Sequence, residues 1–287
     1  MNRGVSTVVD VTIFLLFVGA AAAALVGAAG LEPPSPGNPA AEEAELLATS
    51  TATVEYAVEP AADPPDWATD PAESRRRTAH GTLAKLLGEA AMSAVRVNGT
   101  RLSTAGTGFE AAVANRTRSR LRESGRRHAV RVRWEPYPRA PVDATTRVGD
   151  YPPPSADVHA ATLTVPSPMA SATDDRTGDG GYEGVAGRLA SSVVNGLFPP
   201  RQAQLALDGD YPSNQLVSRR YRRMGVLVGA EGVSPDSTGA RELNAELTAA
   251  LAARFERDMR QRFDSPAAAS ASVRAGRITI TVRTWSP

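Results

Sequence analysis

The chain has 287 residues, with 32 basic and 31 acidic side chains, three histidines and no cysteine. The missing thiols exclude disulfide frameworks, zinc–thiolate sites, iron–sulfur clusters, cysteine nucleophiles and a lipoprotein anchor. Hydrophobic residues make up 42% but aromatic ones only 5%, so the core is expected to be aliphatic and alanine-rich. Lys85 is the only lysine; a GC-rich genome accounts for this more simply than a need for guanidinium at every basic position.

The chain opens with Arg3-Gly4, then Val5–Asp10, then nineteen uncharged residues from Val11 to Ala29. About twenty apolar helical residues cross a bilayer, so residues 1–30 are expected to form a signal or transmembrane helix that meets membrane lipid over residues 5–29. Residues 31–74 follow with ten acids and no base. The positive-inside bias puts the N-terminus in the cytoplasm and the rest outside, the topology of a single-pass cell-membrane protein. Cleavage as an ordinary secretory signal, around Ala24 or Ala28, is the competing outcome.

Residues 31–74 read as an acidic, proline-rich stalk. Pro33-Pro34-Ser35-Pro36 cannot continue a helix, and Thr49–Val58 has the β-branched content of one strand. From Arg75 the charge reverses, with fifteen bases against four acids over residues 75–139. Residues 75–287 are expected to form an extracytoplasmic α+β domain of about four helices and a small antiparallel sheet. Helical spacing is legible over Thr78–Val97 and Gly108–Ser124, with Gly125 as a stop. His128–Glu135 alternates Val130, Val132 and Trp134 with Arg131, Arg133 and Glu135, as a half-buried strand does. Pro136–Pro154 reads as a connection, Asp157–Val165 as a strand and Ser171–Tyr182 as a polar loop. Gly184–Phe198 is a helix. Ser213 is placed to cap another that carries Tyr221 and Met224. Thr238–Phe263 is the longest helix, striped by Leu243, Leu247, Leu251, Phe255, Met259 and Phe263. Arg277–Trp285 closes the chain as an alternating strand.

Arg3-Gly4 followed by Val5-Ser6-Thr7-Val8-Val9-Asp10 and an apolar helix resembles the start of archaeal type IV pilin-like and pseudopilin-like proteins, and also starts found in haloarchaeal surface proteins. The resemblance covers about residues 1–30. It implies cleavage between Gly4 and Val5, helix packing in a membrane or filament, and pilin-like or other surface-protein partners. The family often has an acid at the fifth mature position; here that position is Val9 and the acid, Asp10, is sixth. This departure weakens subunit docking.

Other motifs have plainer meanings beside their functional ones. Asn98-Gly99-Thr100 fits a glycosylation acceptor outside the cytoplasm, and Asn115-Arg116-Thr117 fits it inside a helix. Gly106–Ala111 matches G-x-G-x-x-A without a βαβ unit, so helix entry explains it better than a dinucleotide. Asp175–Gly180 opens like a calcium loop, but its twelfth position is Ala186; it and Asp208-Gly209-Asp210 read as solvated turns. Arg75, Arg76, Arg77, Arg126 and Arg127 form a candidate basic patch, and Arg219–Arg223 a further cluster. H-E-x-x-H, G-x-S-x-G, S-x-x-K and P-loop patterns are absent from the sequence. The expectation is a non-enzymatic, membrane-anchored surface protein without metal, cofactor or small-molecule substrate. The alternative is an exported module using residues 75–139 for DNA or acidic polysaccharide; near-neutral net charge and export argue against nucleic acid.

Overall fold

The structure, a computed structural model, describes residues 37–59, 75–169 and 180–286. Helix α1 (Pro39–Thr49) leads into β1 (Thr51–Ala57), which pairs antiparallel with β2 (Arg76–Thr82) in a two-stranded sheet. Helix α2 (Leu83–Ser93), the short β3 (Arg96–Val97) and β4 (Thr100–Arg101), and helix α3 (Thr107–Arg122) follow. Strands β5 (Arg127–Trp134), β6 (Val142–Gly149) and β7 (His159–Pro166) precede a helical half: α4 (Gly181–Leu197), α5 (Pro200–Leu207), α6 (Ser213–Val228), α7 (Ala240–Arg262) and α8 (Pro266–Ser272). The chain returns as β8 (Arg277–Trp285) into a six-stranded sheet ordered β4-β3-β6-β5-β8-β7, antiparallel throughout.

The α+β class holds, but the expected architecture is corrected in two respects. Among the described residues no helix is long and apolar enough to cross a membrane. The segment 1–30 assigned that role lies outside the described residues. The described residues also hold eight helices and two sheets, where about four helices and one small sheet were expected.

Alternation builds the sheet's two faces. On the inner face Val130, Val132 and Trp134 of β5 meet Ile278, Ile280 and Val282 of β8, all at most 1% exposed. Helix α2 lies over this face with Leu83, Leu86, Leu87, Ala90 and Ala91 buried. Its Gly88 sits where an added Cβ would stand 3.0 Å from Val165 and 3.3 Å from Ile278, so glycine here permits close helix–sheet approach despite its weak helix propensity. Helix α1, inside the segment read as a stalk, packs on β7 and β8 and buries Ala40, Ala44 and Leu47. Pro39 starts this helix rather than preventing it, because the first turn needs no N–H, and the Asn38 side chain accepts from Ala40 N.

The helical half is held by the two stripes visible in the sequence. Val185, Leu189, Val193 and Leu197 of α4 pack along Leu243, Leu247, Leu251, Phe255 and Met259 of α7. Ser213 is the first residue of α6 rather than its cap, which is Pro212. Trp134 joins the halves: its indole N–H donates to Ala275 O at 2.7 Å, and Arg274 N donates to Pro136 O at 2.7 Å. Tyr137 extends the seam, donating to Asp258 at 2.9 Å with its ring 5.5 Å from that of Phe255.

Two strands run through stretches read otherwise. Arg76–Thr82 is β2, mostly exposed and polar, so it lacks the alternation that reveals a strand. Val142–Gly149 is β6, set between prolines that made the whole stretch read as a connection.

Candidate functional site

The outer face of the six-stranded sheet is open to solvent and carries arginine and threonine. The same alternation that buries Val130 and Val132 turns Arg127, Arg131 and Arg133 outward on β5. Arg147 follows on β6, and Arg277 and Arg283 on β8; all six are exposed. The strand registers give two rows across the sheet. Arg147 stands opposite Arg131, which pairs with Thr281, which pairs with Thr162. In the next row Thr145 stands opposite Arg133, then Thr279, then Thr164. Neighbouring strands are about 4.8 Å apart, so each row spans roughly 14 Å.

The charges on this face are unevenly compensated. Arg133 pairs with Glu135 at 2.7 Å and Arg127 with Asp150 at 3.7 Å. Arg147 lies over the ring of Tyr151, 3.8 Å from its centroid, and Tyr151 is 76% exposed. Arg131, Arg277 and Arg283 have no ion pair among the described residues. Arg131 and Arg147 are like charges directly opposite one another, an arrangement that costs a sheet stability unless something neutralises it.

Asp143 is a further acid on this face, opposite Arg96 of β3. Burial raises its pKa above the ordinary carboxylate range, against the downward pull of Arg96 and Arg133. A carboxyl raised in the folded state contributes stability below its unfolded pKa and loses it as pH rises through the folded value. Asp143→Asn is therefore expected to raise the melting temperature slightly at pH 7. The difference should close near about pH 3, where both states are protonated. Melting curves of the two proteins across this range check it; a destabilised variant at pH 7 would refute the sign.

The basic patch expected from sequence is not brought together. Arg76 and Arg77 are exposed on β2, in the other sheet. Arg76 pairs with Ala57, whose carbonyl abuts Gly108 at the start of α3. Arg126 and Arg127 come after the far end of that sixteen-residue helix, roughly 24 Å away along its axis. Arg126 faces Glu42 of α1 at 3.3 Å. Arg75 lies in a turn just before β2 and has interactions of its own. Of the five, Arg127 alone lies on the outer sheet face.

The remaining candidates have local explanations. Asn98 is exposed and takes φ +48° with Gly99 at φ +75°. Such positive angles are what a two-residue hairpin between β3 and β4 demands of an Asn-Gly pair, and its side chain stays accessible. Asn115 lies in α3, where it accepts from Arg118 at 2.6 Å. In the G-x-G-x-x-A stretch, an added Cβ on Gly108 would fall 2.5 Å from Ala57 O, so the glycine serves contact with β1. Gly4, Val5 and the Asp175–Asp179 portion of the calcium-like loop lie outside the described residues. Asp208 accepts from Gln204 at 2.9 Å, and among the described residues no three metal-ligating side chains cluster.

A concavity of about 780 Å³ lies between α5, α6 and the turn before α7. Arg222 spans it to Asp236 with bonds of 2.5 and 2.6 Å. Arg220, from the same cluster, is turned into the protein with its guanidinium 5.0 Å from the Phe198 ring. Burial lowers its pKa to about 10, so it remains charged at neutral pH.

The residues that sequence reading missed as a site are Arg131, Arg133, Arg147, Arg277 and Arg283. The alternation of those on β5 and β8 was visible, and Arg147 was hidden in the stretch read as a connection; that they share one face was not visible, because β5 and β8 are about 150 residues apart in the chain. A family described as being of unknown function, DUF7284, matches residues 9–285. No curated protein and no solved structure matches the chain.

Proposed function

The chain belongs to this family of unknown function, and from its own residues we propose that it is an exported, non-enzymatic binding module that holds a polyanion on the outer face of its six-stranded sheet. The observation that supports this is the directly opposed Arg131–Arg147 pair, with Arg283 two residues along β8 from the partner of Arg131, Arg277 at the start of the same strand, and no ion pair on Arg283 or Arg277 among the described residues. Guanidinium groups bind carboxylate, sulfate and phosphate through paired donors. A polyanion on this face would turn a repulsive arrangement into an attractive one. The near-neutral net charge does not oppose this, because local fields and not the total guide a ligand to a face.

The export half of the reading rests on sequence: Arg3 before nineteen uncharged residues, then ten acids without a base. The pilin-like assembly role is supported by the resemblance over about residues 1–30, whereas the sheet face gives the binding role a surface.

Retention of the full-length protein on immobilised heparin tests this. We expect binding at 50 mM salt. Affinity should drop by about 100-fold between 50 and 200 mM if four guanidinium groups are engaged. Passage through the column unretained at 50 mM salt would overturn the reading.

A further inference from the structure

We propose that the polyanion is an acidic polysaccharide, a polymer of uronic acid units lying across the strands. This rests on the polyanion reading above and adds the chemistry beside the charges. Thr281 and Thr162 are cross-strand partners, as are Thr279 and Thr164. These two hydroxyl pairs adjoin Arg131 and Arg133 in register. One row therefore presents two guanidinium groups followed by two hydroxyls, at strand spacing of about 4.8 Å.

A uronate polymer offers both complements. Its carboxylates meet the guanidinium forks, and its ring hydroxyls exchange hydrogen bonds with threonine, which donates once and accepts twice. A phosphodiester chain has the charges but lacks the dense hydroxyls, leaving the threonine half of the face without partners. Single-stranded nucleic acid is further disfavoured by the lack of stacking platforms. On this face Tyr151 is the exposed ring and already lies against Arg147, while Trp285, opposite Arg127, is 4% exposed.

The test compares two probes on the full-length protein: polygalacturonate oligomers and a single-stranded oligonucleotide carrying the same number of charges. Polygalacturonate is expected to bind more tightly. The double variant Thr162→Val, Thr281→Val keeps the β-branched shape and the charge. It should weaken polygalacturonate binding about tenfold and leave oligonucleotide binding unchanged. Arg131→Gln should weaken both. If the oligonucleotide binds equally well and the threonine variant changes nothing, the uronate inference falls and the polyanion reading stands. If neither probe binds, both fall.

Discussion

Trp134→Ala is expected to destabilise the fold by about 4 kcal/mol, lowering the melting temperature by roughly 10 °C. Trp134 is 1% exposed at the end of β5, where the sheet meets the helical half. Truncation removes one of the largest buried side chains and leaves a cavity that the surrounding backbone can fill only in part. It also removes the indole donor from Ala275 O. That carbonyl retains Ser167, which donates to it at 2.5 Å, so the lost hydrogen bond is the smaller share. Trp134→Phe separates the two contributions. It keeps most of the ring volume and should cost about 1–2 kcal/mol. Thermal or denaturant unfolding of both variants checks this. A shift below about 2 °C for the alanine variant would show that the sheet and the helical half are not joined through this side chain.

Neutralising the opposed pair, Arg131→Gln with Arg147→Gln, is expected to weaken heparin binding on the order of 100-fold at low salt and to make the salt dependence shallower by about 1.5 in the log–log slope. The same change should raise stability by a few tenths of a kcal/mol, because it removes a like-charge pair directly across two strands. These opposite signs give the experiment its force. If the arginines served the fold, binding and stability would fall together. If Arg147 mattered chiefly through its contact with Tyr151, Tyr151→Ala would reproduce the binding loss. A variant that binds heparin as the parent does would remove the sheet face from consideration.

Much of the helical half was legible because its elements are amphipathic over many residues. The leucine stripe of α7 and the four-residue spacing in α4 each state which side is buried, and the structure packs those two sides together. Strands β5, β7 and β8 were legible for the same reason at period two, with β8 found at the bounds read for it. Strand β2 was hidden because its side chains lie largely in water and no apolar alternation marks it. In β6 the flanking prolines outweighed an eight-residue alternation. Its last residue, Gly149, takes φ +90°, and an added Cβ would lie 2.1 Å from His128 O, a requirement no local pattern announces.

By itself the sequence determined the α+β class, the absence of thiol chemistry, the reversal of charge at Arg75 and which face of most elements turns inward. It also located most arginines of the outer face on strands. Only the tertiary structure decided that Arg131 stands opposite Arg147, that Arg283 arrives from a strand about 150 residues away in the chain to join them, and that Arg76 and Arg77 lie on another sheet. The physical reason is that periodicity fixes the side of an element on which a residue projects, whereas register and strand order fix its neighbours. Those are set by the packing of segments distant in the chain.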